Sequence, residues 1–188
     1  MRSFFLFVSL FIVFGFHNKF SNHSEDNLNL YFKGSPESSL KINKQNLYII
    51  QRNKNRNTVF YDLNVLSNGD VYSGKPIDCY WKMYEKNGVR EELTTFEKLT
   101  AYGYDIQKGL KGEYLIKMNS LKDRVCQLNK DKNGLYSCIT RIGGKRSSLK
   151  RIYVYTIEGY ITTTVKYIEL FGKDATTGTD TYEKVINK

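Results

Sequence analysis

The chain has 188 residues, a net charge of +10 and an aromatic fraction of 14%, with 15 Tyr and 11 Phe against only two prolines. That length suits one ordinary domain with a short appendage, and the composition excludes fibrous and low-complexity chains. Its only histidines are His17 and His23, so the region after them has none; Ser-His-Asp and Cys-His hydrolysis and every His-containing metal site are excluded there.

Residues 1–20 read as a signal peptide. Arg2 precedes an apolar run of about thirteen residues, Phe4 to Phe16, which matches a signal h-region and is shorter than a spanning helix. The expected location is periplasmic or extracellular, with an uncleaved N-terminal membrane anchor as the alternative. The Asn/Ser/Lys-rich stretch 21–45 reads as a flexible lead-in, and 46–188 as one domain.

Strands follow at short intervals. LYIIQ (47–51), TVFYDLN (58–64), DCYWKMYE (78–85), YDIQK (104–108) and EYLIKM (113–118) come first. RVCQLN (124–129), LYSCITRI (135–142), KRIYVYTIE (150–158) and YITTTVKYIEL (160–170) complete nine, and TYEKVI adds a candidate last strand. Turn clusters too short for crossover helices separate them, so the expectation is a mainly β protein, an antiparallel barrel or sandwich of about nine strands. One short helix is expected over 93–103, with Thr94 or Thr95 as cap, Glu97 at the N3-like position and Gly103 as the C′ stop. Phe96 and Leu99 take helical spacing within it.

The basic run QRNKNRN (51–57) reads as a solvated hairpin connection, since Asn tolerates turn backbones. GGKRSS (143–148) lacks the GxxxxGK[ST] pattern of a phosphate loop and reads as a basic hairpin turn. Charges placed in turns and aromatics placed in strands disfavour a nucleic-acid partner. Weak association with anionic envelope surfaces fits the charge. Among the cysteines, Cys126 and Cys138 flank one turn and are a candidate disulfide pair; small buried hydrophobes are the alternative. No cofactor is expected.

Strand alternation places Tyr80 and Lys82 on one face, and Arg151 and Tyr153 on one face. Two accounts follow: amphipathic tyrosines outside an apolar core, or a barrel whose Tyr/Lys/Arg side lines a cavity for an amphiphilic or anionic ligand. No carboxylates form a clear pair; Asp62 and Asp78, both in strands, could face a common interior as glycoside hydrolysis needs, and solvated strand faces are the alternative. Glu91 and Glu92 read as a solvated edge.

The stretches LYIIQRNKNRNTVFYDLN, KPIDCYWKMYEKNG, LTTFEKLTAYGYDI and VKYIELFGKDATTGTDTYEK, in that order, resemble the DUF4833 family of exported bacterial proteins of unknown function. Its motif positions fall on Arg52, Asn57, Tyr61, Pro76, Tyr80, Trp81, Ala101, Tyr102, Gly103 and Glu169; Cys79 and Lys82 depart from the pattern. Arg52, Asn57, Trp81, Gly103 and Glu169 are expected to be structural anchors. Tyr61, Tyr80, Lys82, Tyr102, Arg151 and Tyr153 are the candidate ligand-binding set. The favoured function is non-catalytic binding of a small or amphiphilic ligand in a barrel cavity. An envelope interaction module is the alternative, and a His-free carboxylate hydrolase the third reading.

Overall fold

A computed structural model describes residues 41–109, 113–121, 123–159 and 163–186. The expected signal peptide and most of the expected lead-in lie outside these residues. Eleven strands form one curled, mixed sheet, a half-barrel. They are β1 (Ile42–Arg52), β2 (Thr58–Leu66), β3 (Ile77–Met83), β4 (Val89–Glu92), β5 (Tyr104–Lys108) and β6 (Tyr114–Met118). The series continues with β7 (Val125–Lys130), β8 (Tyr136–Ile142), β9 (Lys145–Glu158), β10 (Thr163–Asp174) and β11 (Asp180–Ile186).

The fourteen-residue β9 organises the rest. Along one edge it pairs first with β8 and then, in parallel, with β1; along the other it pairs with β10, which carries β11. Two branches therefore leave one edge of β9: β1–β2–β3–β4 and β8–β7–β6–β5. Side chains tie the branches together. The Tyr104 hydroxyl on β5 donates to the Ile77 carbonyl on β3 (2.8 Å), and Gln45 on β1 accepts from the Tyr136 amide on β8 (2.8 Å). The β1–β9 pair is the parallel exception to an otherwise antiparallel expectation.

The enclosed face is filled. Tyr48 and Tyr61 stack with centroids 4.4 Å apart, both fully buried. Leu63, Ile77, Ile116, Met118, Ile142, Leu149, Ile152 and Leu170 surround them, each at most 1% exposed. Burying a side chain of this size contributes about 1.5–3 kcal/mol. The packed interior replaces the expected ligand cavity, because the apolar faces of the strands, rather than the Tyr/Lys/Arg faces, turn inward.

Several local expectations change. β1 begins at Ile42, so the lead-in reaches no further than residue 41; the alternation of Ile42–Asn46 is polar and hides a strand. β4, the polar VREE, was not anticipated, and Glu91 and Glu92 lie in it. GGKRSS is a turn only at Gly143–Gly144, both with positive φ; Lys145–Ser148 already belong to β9. The run QRNKNRN is a hairpin connection only over Asn53–Asn57, since Gln51 and Arg52 belong to β1 and Asn57 is buried; Asn55 Oδ1 accepts from the Asn57 amide. Thr94 caps the helical turn in a full capping box with Glu97. Helical character passes into one π-helical turn, Lys98–Tyr102. Here the buried residues are Leu93 and Tyr102, while Phe96 and Leu99 are exposed. Gly103 has φ −72°, so it is no left-handed stop; a Cβ there would lie 1.7 Å from the Lys98 carbonyl oxygen.

Candidate functional site on the outward sheet face

The strand registers assemble two rows across seven strands on the face opposite the core. The first runs Glu92, Tyr80, Phe60, Ile49, Arg151, Phe171, Tyr182. The second runs Arg90, Lys82, Thr58, Gln51, Tyr153, Glu169, Lys184. Four of the six candidate ligand residues, Tyr80, Lys82, Arg151 and Tyr153, therefore share one face. Tyr61 and Tyr102 do not: both are buried in the core, where the Tyr61 hydroxyl donates to the Tyr102 carbonyl (2.8 Å). Burial pushes the Tyr102 phenol up to about 12. Their assignment to a ligand site is corrected accordingly.

Cations lie over rings along these rows. Phe60 and Tyr80 stack at 5.8 Å. The Arg90 guanidinium sits 3.9 Å above Tyr80, Arg151 sits 4.0 Å above Phe171, and Lys82 Nζ is 5.7 Å from the Phe60 centroid. Each such contact is worth about 0.5–1 kcal/mol at an exposed site. Glu169 accepts from the Tyr182 hydroxyl (2.7 Å) and lies 3.9 Å from Lys184, as an anchor of the β10–β11 edge. A bulge between Val165 and Tyr167 puts Val165 in the core and Tyr167 outside, where Tyr167 stacks on Tyr155 at 4.7 Å.

One end of the face is electrostatically closed. Asp78, with a side chain 3% exposed, accepts from Lys44 (2.5 Å), Lys75 (2.7 Å) and both terminal nitrogens of Arg90 (2.8 and 3.0 Å). Burial alone would raise its pKa, but these hydrogen bonds outweigh it and hold the carboxyl well below the usual carboxylate range. Asp62, its neighbour, accepts from Asn46 (2.9 Å) and Tyr80 (2.8 Å). Burial and that contact push the Tyr80 phenol up to about 12.

The centre differs. Among the described residues neither Lys82 nor Arg151 is ion-paired to a carboxylate; Arg151 reaches only Gln51 Oε1 (3.4 Å). Three strand spacings separate their columns, about 14 Å along the sheet. Between them lies a floor of Phe60, Ile49, Gln51 and Tyr153, all half-buried.

The expected anchors other than Glu169 stand elsewhere. Arg52 lies over Trp81 (4.9 Å) and Tyr102 (5.9 Å), and Trp81 Nε1 donates to Glu97 (3.0 Å). Asn57, buried, joins the β1–β2 hairpin to Glu85 through side-chain and backbone bonds (3.0 and 3.2 Å). Cys126 and Cys138 are free buried thiols on one face of β7–β8, in contact but diagonal rather than opposite, since Leu128 is the partner of Cys138. No local pattern marks Arg90, whose strand VREE is mostly polar, or the Phe171–Tyr182 continuation, which depends on the β9–β10–β11 register.

The fold and face define a β-sheet domain with an ordered aromatic and cationic surface. The DUF4833 family profile (domain of unknown function) matches residues 48–184, and the chain belongs to that family. No curated protein and no solved structure matches it. Among the described residues no helix is long and apolar enough to cross a membrane.

Proposed function

We propose that the protein is a non-catalytic binding module whose outward face holds an elongated anionic amphiphile between Lys82 and Arg151. The observation that carries this reading is the pair of cations without carboxylate partners, flanking a half-buried floor of Phe60, Ile49, Gln51 and Tyr153. A cation left unpaired beside apolar surface favours a ligand that supplies both the charge and the apolar part. The apolar run Phe4–Phe16 supports export, so the ligand would be met outside the cytoplasm.

Two sources offer that chemistry, an acidic oligosaccharide and a charged lipid. Calorimetric titration of the full chain with a hexauronate and with dodecyl phosphate, each against a neutral counterpart, separates them. The expected result is an anionic probe bound at least about tenfold more tightly than its counterpart, with that advantage lost in the Lys82→Gln, Arg151→Gln double variant. Equal binding of charged and neutral probes, or an unaffected double variant, overturns the reading.

The Asp62–Asp78 pair does not favour hydrolysis. A general acid needs a raised pKa, whereas three cations hold Asp78 ionised and Asp62 is engaged by Asn46 and Tyr80.

A further inference from the structure

A second cationic site lies away from this face's centre, where β7, β8 and the start of β9 meet. A cavity of about 770 Å³ is lined by Leu115, Val125 and Ile139 on its apolar side and by Arg124, Arg141 and Arg146 on its charged side. Arg124 is already neutralised: it donates to Glu183 Oε2 (3.0 Å) and to the Arg141 carbonyl, while Glu183 Oε2 also accepts from the Gly143 amide (2.8 Å). Asp123 also lines the cavity.

Arg141 and Arg146 are different. They are direct cross-strand partners, one step from the Gly143–Gly144 turn. Like charges directly opposite on an antiparallel pair are destabilising. Among the described residues neither is ion-paired to a carboxylate; Arg141 donates only to the Gly144 carbonyl (3.1 Å). A hairpin turn of two positive-φ glycines is well formed without these arginines, so folding does not require the repulsion. Two exposed arginines on directly opposed residues, about 5 Å apart at the backbone, line a cavity that has Leu115, Val125 and Ile139 among its walls, and so offer one compact oxyanion two guanidinium forks.

We propose that this cavity binds a phosphate monoester, with Arg141 and Arg146 sharing the phosphoryl oxygens and the ester's apolar group resting on Leu115, Val125 and Ile139. The site is independent of the Lys82–Arg151 surface. It makes a specific pair of outcomes necessary: the ligand relieves the repulsion, so removing one arginine improves the empty protein while weakening the complex.

The test uses the full chain with phenyl phosphate, inorganic phosphate and phenol as probes, read by calorimetry and thermal unfolding. Phenyl phosphate is expected to bind at least about tenfold more tightly than either inorganic phosphate or phenol. Arg146→Gln is expected to weaken phenyl phosphate about tenfold or more and to raise the ligand-free melting temperature. Arg146→Lys, which keeps the charge and loses the fork, weakens binding and leaves the melting temperature near that of the parent. Lys82→Gln and Arg151→Gln leave phenyl phosphate binding unchanged, so failure here is separable from failure of the surface site. Absence of phenyl phosphate binding, binding indifferent to Arg146→Gln, or a lowered ligand-free melting temperature in that variant each overturns the proposal.

Discussion

Asp62 and Asp78 stand directly opposite each other on β2 and β3, yet their partners are of opposite kinds. Asp62 takes neutral donors, an amide and a phenol; Asp78 takes three cations. Two adjacent carboxylates repel, and the cations gathered on Asp78 are what make the pair tolerable on a buried sheet surface. Replacing Asp78 by Asn leaves Lys44 and Lys75 without that counter-charge and Arg90 with Glu92 alone. The expected cost is about 3 kcal/mol at neutral pH. Lys75→Met alone, at an exposed position, costs below about 1 kcal/mol. Because the folded pKa of Asp78 is depressed, its contribution is fully present above the unfolded value of 3.8 and is lost as pH falls from there toward the folded value. Urea unfolding should therefore show the gap between parent and Asp78→Asn full at pH 7 and narrowing below about pH 4.

That network also shows how far the sequence could be read. Asp62 and Asp78 are recognisable from sequence as strand residues, and so is each face of Tyr80–Lys82 and Arg151–Tyr153. Alternation along one strand carries that information. What joins those faces is register between strands distant in sequence: Ile49 beside Arg151, and Phe171 beside Tyr182. No local pattern encodes it. Which face turns inward was likewise open, because tyrosine serves both; Tyr48 and Tyr61 are fully buried while Tyr182 is exposed. β4 was missed because VREE has neither apolar alternation nor aromatic content, and it forms only by pairing with β3.

Substitution by Ala is destabilising at both Gly103 and Gly144, to different extents and for different reasons. Gly144 has φ 79° with nothing within 4 Å of a Cβ, so only backbone strain is added, about 1 kcal/mol. Gly103 has an ordinary φ, but its Cβ would meet the Lys98 carbonyl at 1.7 Å and Asn119 Nδ2 at 2.6 Å. The chain must shift, breaking the Asn119 amide bond to the Gly103 carbonyl (2.9 Å), at a cost of about 3 kcal/mol. Denaturant midpoints of the two variants measure the difference. Equal effects would mean that the close approach of Gly103 to the Lys98 carbonyl costs no more than the strain at Gly144.

The cysteines give a chemical readout of the core. Cys79, Cys126 and Cys138 are all buried, and burial pushes the Cys79 thiol up to about 12. Burial shields all three from reagent, and at Cys79 the raised pKa suppresses the thiolate as well. A thiol reagent should label none of the three within minutes in the native protein, and all three once guanidinium unfolds it. A single equivalent after unfolding, restored to three by reductant, would instead reveal an oxidised Cys126–Cys138 pair.

Arg52 and Trp81 close the end of the core where the β1–β2 hairpin meets the helical turn. Arg52 Nε is buried without a hydrogen-bond partner among the described residues, so the guanidinium is held by the aromatic faces of Trp81 and Tyr102 rather than by an acceptor. Glu97 meanwhile accepts from Trp81 Nε1 and from the Thr94 amide, so one carboxylate fixes both the indole and the helix cap. The stack is therefore expected to be coupled energetically. Arg52→Met keeps the aliphatic stem and removes the charge; Trp81→Leu removes the ring and costs more, through cavity formation as well. A double-mutant cycle should return a coupling of about 1–2 kcal/mol, since the pair is partly desolvated. A coupling within about 0.3 kcal/mol of zero would mean that the two residues pack independently.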